Sequence, residues 1–265
     1  MPAPSLSLIV TTLRSAGCVF AEDEAELLIA TAATPDQLTF MVERRAAGLP
    51  LEHVLGWARF CGLRVAVDPG VFVPRRRTEV LARQAIELAR RAGAPDRPAV
   101  VVDLCCGSGA LGAAVATAVP GLELHAADIE TAAVDCARRN LDGLGGHVHH
   151  GDLLAALPER LRGRVDVLIA NVPYVPSREV DLLPAEARVH EPRVALDGGA
   201  DGLQVMRRVT DAASVWLAPG ASLLVETSRR QAPQAVETFT SSGLRARVVT
   251  CEEMEATVVI GTPGP

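Results

Sequence analysis

The sequence predicts an α/β fold: seven strands in one mostly parallel sheet, helices on both faces, and a small helical region in front. Three observations carry this. From Pro98 onward, short runs of strand character alternate with segments of helical period, the pattern of strands joined by crossover helices. One such run, Val165-Asp-Val-Leu-Ile-Ala170, is apolar apart from Asp166, as a strand covered on both faces should be. Before residue 48 the apolar spacing is helical only.

In chain order, Leu6, Ile9, Val10 and Leu13 share the face of a first helix. Ala25, Leu28, Ile29 and Ala32 share that of a second, starting near Asp23. Pro35 stands in the first turn of a third helix, capped by Thr34 and running to about Ala47. Gly48-Leu49-Pro50 breaks the pattern. Ala58-Arg-Phe60 and Leu63-Arg-Val65-Ala-Val67 then alternate around Cys61-Gly62, a hairpin signal, and Asp68-Pro69-Gly70 is a turn. Thr78 is the expected cap of a helix that runs to about Arg91 and stops at Gly93, with Pro95 beyond. Strands are expected at 99–104, 122–127, 147–150, 165–170, 221–227, 245–251 and 256–260. Helices are expected at 110–118, 131–140, 203–216 and 231–242. Only Glu252-Glu-Met-Glu255 separates the last two strands, so they should pair antiparallel. The resulting division is a helical domain at 1–48, a β-hairpin linker at 49–77 and a sheet domain at 78–265.

Composition narrows the function classes. The chain has 265 residues, of which 49 % are hydrophobic, enough for a sizeable core. No apolar run approaches the ~18–20 residues of a membrane span. Met1 to Leu13 carry no basic segment and no A-x-A cleavage signal, which argues against secretion. Six cysteines without C-x-x-C or zinc spacing suit buried thiols in a reduced cytoplasm. His147, His149 and His150 cluster without a second ligand group at metal spacing, so they are expected as an exposed turn into a strand. All 26 basic residues are Arg, a compositional bias that lowers the weight of Arg75-Arg76-Arg77. Net charge is −6 and aromatic content 3 %, which argues against nucleic acid as a partner.

Val100-Val-Val-Asp103-Leu-Cys105-Cys106-Gly107-Ser108-Gly109-Ala-Leu-Gly112 reads as a strand, a glycine turn and a helix start. Its glycines let a ligand approach the backbone closely. As a bare pattern it also matches the dinucleotide fingerprint. Asp103, however, stands four residues before the first glycine, where a carboxylate suits a cationic cofactor and not a pyrophosphate. S-adenosylmethionine brings an ammonium and a sulfonium. Asp128, at the end of the next strand, is placed to accept both ribose hydroxyls. Asp152, after the third strand, is placed for an adenine amino group. Each Asp also reads as a helix N-cap.

The strand 165–170 ends abruptly in Asn171-Val172-Pro173-Tyr174-Val-Pro176. Prolines cannot continue the ladder, which leaves Asn171 at the carboxyl edge, where open α/β sheets bind ligands. The Asn171 side-chain oxygen and the Val172 carbonyl could accept both hydrogens of a planar –NH2 group. Pro173 stiffens this clamp and Tyr174 backs it. The same residues also describe a plain strand-to-loop transition, and alone both readings stand. Beside a loop for a sulfonium methyl donor, the clamp makes a methyltransferase constellation. A dehydrogenase would need a hydride site and an acid/base, and this chain has no Lys.

Several motifs together resemble the HemK/PrmC-type protein-glutamine methyltransferases. They are Gly48-Leu-Pro-Leu-Glu-His-Val-Leu-Gly56, Phe72-Val-Pro-Arg75-Arg-Arg-Thr-Glu79, Asp103 to Ala110, Asn171 to Tyr174, Glu191-Pro-Arg-Val-Ala-Leu196 and Gly199-Ala-Asp-Gly202. The resemblance covers nearly everything after residue 48. It implies a class I S-adenosylmethionine-dependent methyltransferase with a Rossmann-like sheet, in which Cys105 to Gly109, Asp128, Ile129 and Leu153 line the cofactor. It implies that Asn171 to Tyr174 hold the glutamine amide of a protein partner, such as a release factor or another translation protein. Two departures stand out: the family's Asn-Pro-Pro-Tyr has Val172 at its second position, and its Arg-Pro-Asp-Thr-Glu reads Arg75-Arg76-Arg77-Thr78-Glu79. The helical segment 5–47 also looks shorter than the family's release-factor-recognising domain. The alternative acceptors are a small-molecule amine or amide and the exocyclic amine of adenine.

Overall fold

The computed structural model describes residues 4–93 and 97–264. Three helices open the chain: α1 (Leu6–Ser15), α2 (Ala21–Thr31) and α3 (Pro35–Ala46). Thr34 caps α3 by accepting the Gln37 N–H at 3.2 Å. The helix α2 begins at Ala21, before the expected Asp23, with no side-chain cap. Ile9, Leu13, Ala25, Leu28, Leu38 and Met41 close a core of their own among these helices. A five-residue helix not expected from sequence, α4 (Leu51–Leu55), follows Pro50 and ends on Gly56 at φ +78°. One turn and a half is too short to show a period.

The hairpin β1 (Trp57–Phe60) and β2 (Leu63–Ala66) pairs antiparallel around Cys61 and Gly62, both at positive φ. Phe60 and Val65 are buried in the core shared with the next helix, α5 (Glu79–Ala92). Thr78 does not cap that helix. It lies in a 3-10 turn, Arg76–Thr78, with helical φ and ψ of its own, and makes no capping hydrogen bond. Pro95 lies outside the described residues.

The remainder alternates: β3 (Val100–Leu104), α6 (Ala110–Ala118), β4 (Glu123–Asp128), α7 (Thr131–Leu141), β5 (His147–His150), β6 (Val165–Ala170), α8 (Ala185–His190), α9 (Gln204–Trp216), β7 (Leu217–Thr227), α10 (Ala232–Ser241), β8 (Leu244–Cys251) and β9 (Ala256–Pro263). The sheet order is β5-β4-β3-β6-β7-β9-β8. The strands β3 to β7 run parallel, while β9 is antiparallel to both β7 and β8. Val101, Val167, Ile169 and Leu224 face the layer of α5, α6 and α7. Val102, Leu104, Leu168, Ala170 and Val225 face α9 and α10. Alternate residues of each strand therefore feed two separate cores.

The segment 177–197 between β6 and α9 was not legible as structure. It is 3-10 turns and the six-residue α8, too polar and proline-broken to show periodicity. The histidine cluster forms the edge strand β5, the strand expected at 147–150. His125 of β4 is fully buried beside it, stacks on His147 and shares a 2.9 Å hydrogen bond with His149. Burial pushes the His149 imidazole down to about 4. All six cysteines are free thiols. Among the described residues no helix is long and apolar enough to cross a membrane, and no group of three or more His, Cys, Asp or Glu could hold a metal ion.

Candidate active site

A cavity of about 610 Å³ opens at the carboxyl ends of the parallel strands, within the ~300–1,000 Å³ range of small-molecule sites. Parallel strands point their carboxyl ends the same way, so the loops after β3, β4, β5, β6 and β7 all converge there.

On the β3–β5 side the wall contains Cys105, Gly107, Asp128, Ile129, Glu130, Asp152 and Leu153. Asp128 organises it. Its Oδ2 accepts the Gly107 N–H at 2.8 Å and its Oδ1 accepts the Glu130 N–H at 3.0 Å. Burial pushes its carboxyl above the usual range, opposed by those backbone N–H groups. Each oxygen keeps acceptor capacity for a further donor. Cys105 and Leu153 sit at φ +54° and +48°, left-handed conformations that non-glycine residues seldom adopt. Such strain clusters at ligand sites.

Asp103 is placed elsewhere than the sequence suggested. It is fully buried behind the loop, on the α6 face of β3, where its Oδ2 accepts the Gly112 N–H at 2.9 Å. Its Oδ1 has no hydrogen-bond partner among the described residues, and burial pushes the carboxyl up to about 7. Strand alternation is the reason: Asp103 shares its face with Val101, away from the cavity. Cys106, Ser108 and Gly109 also stand outside the cavity wall. A Cβ at Gly109 (φ +76°) would lie 3.1 Å from the Ala137 Cβ, so that glycine serves the packing of α7 on the loop. Asp152 does line the cavity, but its Oδ2 accepts from the Arg208 guanidinium at 2.5 Å. The free acids of this wall outnumber its cations, Arg208 being paired. Carboxylates able to accept hydroxyls, without a free cation, fit the ribose and cationic amino-acid part of S-adenosylmethionine better than a pyrophosphate.

On the β6–β7 side stand Asn171, Val172, Pro173 and Tyr174, with Phe72, Arg75, Arg77 and the 183–187 and 192–197 segments around them. Asn171 lines the cavity and makes no side-chain hydrogen bond among the described residues. The chain after it is held firmly. Gln231 Nε2 donates to the Tyr174 carbonyl at 2.9 Å. Val175 bridges Asp197 in parallel, its N–H bonding the Leu196 carbonyl at 3.1 Å and its carbonyl taking the Gly198 N–H at 2.8 Å. A Cβ at Gly202 would lie 2.3 Å from the Tyr174 carbonyl oxygen, so the backbone there must be bare. The Tyr174 hydroxyl donates to Glu226 Oε1 at 3.3 Å, and burial with that carboxylate pushes the phenol up to about 12.

Sequence reasoning passed over Asn140, Gln231 and Glu226. The Asn140 side chain bonds both the N–H and carbonyl of Ala66 at 2.9 Å and the Ser108 carbonyl at 2.8 Å. It thus fastens the hairpin to the glycine loop. Nothing in its local sequence marks it, whereas Glu226 closing a buried strand was a polar exception open to notice.

Residues 63–217 match the family model described as Methyltransferase small domain. A curated relative from Streptomyces coelicolor, Release factor glutamine methyltransferase, is 40 % identical over 76 % of this chain and 70 % of its own length. Another, from Streptomyces pristinaespiralis, is named 4-amino-L-phenylalanine/4-methylamino-L-phenylalanine methyltransferase. It is 36 % identical over 79 % of this chain and 71 % of its own length. The crystal structure of a methyltransferase from Pyrococcus furiosus superposes with a TM-score of 0.56 over 77 % of this chain and 90 % of its own, at 16 % identity, a likeness of fold. Sheet order, glycine loop and sequence agree: the chain belongs to the release factor glutamine methyltransferase family and is an S-adenosylmethionine-dependent methyltransferase.

Proposed function

We propose that the chain methylates the side-chain amide nitrogen of a glutamine in a protein partner, a release factor being the first to test. The observation that carries this reading is the Asn171 side chain at the end of β6, unpartnered among the described residues and in the same cavity as the Asp128 wall. An amide nitrogen is a weak nucleophile because its lone pair is delocalised. Asn171 Oδ1 and the Val172 carbonyl, accepting its two N–H groups, would raise electron density on nitrogen and fix its face. Val in place of the family's Pro keeps the carbonyl, and Pro173 with the Gln231 bond to Tyr174 supplies rigidity. Asp128, Cys105, Gly107, Ile129 and Leu153 would hold the cofactor, which supplies an electrophilic methyl group on sulfur. The residues of this chain then contribute position and electrostatics, with no covalent intermediate.

The relative named for 4-amino-L-phenylalanine supports a second reading, a small aromatic amine as acceptor. An adenine amine is disfavoured by the net charge of −6. The test is incubation with labelled cofactor and purified release factor, total RNA or a metabolite extract, with mass spectrometry to locate the methyl group. Label on a glutamine supports the proposal. Label confined to RNA or to a metabolite overturns it.

A further inference from the structure

Arg77 stands on the β6–β7 side of the cavity, beside Tyr174 and away from the Asp128 wall. Its Nε donates to Glu226 Oε1 at 3.3 Å. Glu226 is only 2 % exposed, and its Oε2 has no hydrogen-bond partner among the described residues. A buried carboxylate therefore holds one edge of the guanidinium. The Tyr174 hydroxyl also lies against the guanidinium, and no acid among the described residues pairs with its Nη1 and Nη2. Arg229, just beyond the end of β7, also lines the cavity and has no ion pair among the described residues. The neighbouring charges are otherwise engaged. Arg75 is bound to Glu191, Asp197 to Ser177 and Arg193, and Glu186 to Arg45, which leaves Glu255 as the free acid at that rim.

An anchored guanidinium with an open fork is a preorganised carboxylate receptor, because its two parallel N–H donors match the two oxygens. Anchoring through Nε lowers the entropy cost of ordering a long side chain. We infer that Arg77 reads the methyl acceptor: its Nη1 and Nη2 fork takes a carboxylate on the acceptor, apart from the nitrogen that is methylated, with Arg229 as a second cation at the rim. This rests on the reading that Asn171 to Tyr174 hold the acceptor.

The test uses the full chain with S-adenosylmethionine and a set of nonapeptides with one central glutamine, in which one glutamate is scanned through the flanking positions. At one or two positions the glutamate should lower KM about tenfold against the neutral parent, the scale of one charge-assisted pair. The ratio of the two peptides should fall to about one in Arg77→Gln, and Arg77→Asp should instead favour a peptide with arginine at that position, as charge reversal requires. No preference at any position, or a preference that survives both substitutions, overturns the inference. If no peptide is methylated, the glutamine reading fails by itself, and Arg77 is judged on a second measurement. Glutarate, against sodium chloride of equal ionic strength, should raise the thermal midpoint of the protein saturated with S-adenosylhomocysteine, and Arg77→Gln should abolish the rise. A rise of equal size in both proteins, or none in the unmodified chain, overturns the inference.

Discussion

Glu191 grips Arg75 with both carboxylate oxygens, each 2.6 Å from Nη2, across 116 residues of sequence. The same Glu191 accepts the Val73 N–H at 3.1 Å, and the Arg75 guanidinium lies 4.9 Å from the Phe72 ring centroid. One buried acid thereby fastens the 72–75 strap to the segment after α8, and both border the acceptor side of the cavity. Glu191→Ala should leave the Val73 N–H unsatisfied and Arg75 to solvent. Because Arg75 is partly exposed, the expected loss is about 1–3 kcal/mol, read in urea denaturation. A rise in KM for the acceptor should accompany it, with cofactor affinity unchanged.

Asp128→Ala removes two backbone hydrogen bonds and, on the proposed reading, the acceptors for the cofactor ribose. Cofactor affinity should fall by about 1.5–3 kcal/mol, the scale of hydrogen bonds to a charged group. Calorimetry with S-adenosylhomocysteine measures it. Tight binding of NAD, or an unchanged affinity in the variant, would place the cofactor elsewhere.

Most strands and helices after residue 98 were legible because each is either an apolar run or a helical spacing bounded by turn residues. Strands such as Val165–Ala170 are apolar and end in proline, and helices such as Thr131–Leu141 begin after an acid-bearing turn. What the sequence hid is orientation. Asp103 and Asp128 both stand at the carboxyl ends of neighbouring strands. Only one faces the cavity, since Asp103 falls on the helix-facing side of the pleat. Long-range partners were hidden for a different reason. Asn140 and Gln231 act on backbone groups 74 and 57 residues distant, and such a role leaves no local pattern. The 183–197 wall was hidden because proline-rich coil packed by long-range contacts has no period at all.

Asp103 gives a pH signature. Its folded pKa of about 7 stands above the ordinary 3.8, so between these values the folded state binds the extra proton and the unfolded state does not. Stability from this group is then present at low pH and lost as pH rises from about 4 to about 7. Asp103→Asn keeps an acceptor for Gly112 and removes the titration. The variant should gain on the unmodified chain as pH rises through that window, by a few kcal/mol at most. Urea midpoints of both proteins at pH 5 and pH 8 measure the difference, and parallel curves would refute the assignment.

Gly202→Ala tests whether the acceptor loop needs its backing. The added Cβ would stand 2.3 Å from the Tyr174 carbonyl and 2.4 Å from Gln231 Nε2, at φ +78°. The loop must move, at a cost of about 1–3 kcal/mol for strain of this kind. Turnover should suffer more than stability, because displacement of Tyr174 carries the Val172 carbonyl with it. Gly220→Ala, also at positive φ but with open space around its Cβ, separates backbone strain from displacement of the loop.

Asn171→Ala isolates the clamp itself. Asn171 has no structural hydrogen bond to lose among the described residues, so the fold and the cofactor affinity should be nearly intact. Turnover should fall by roughly 10²–10³, as on removal of one preorganised polar group at a reacting centre. Val172→Pro preserves the carbonyl and should keep activity, whereas a change at Asn171 cannot be rescued by that substitution. Single-turnover rates on one acceptor, with cofactor saturating, distinguish these outcomes. An Asn171→Ala protein that methylates at the unmodified rate would mean that the acceptor nitrogen is held by other groups on the β6–β7 side.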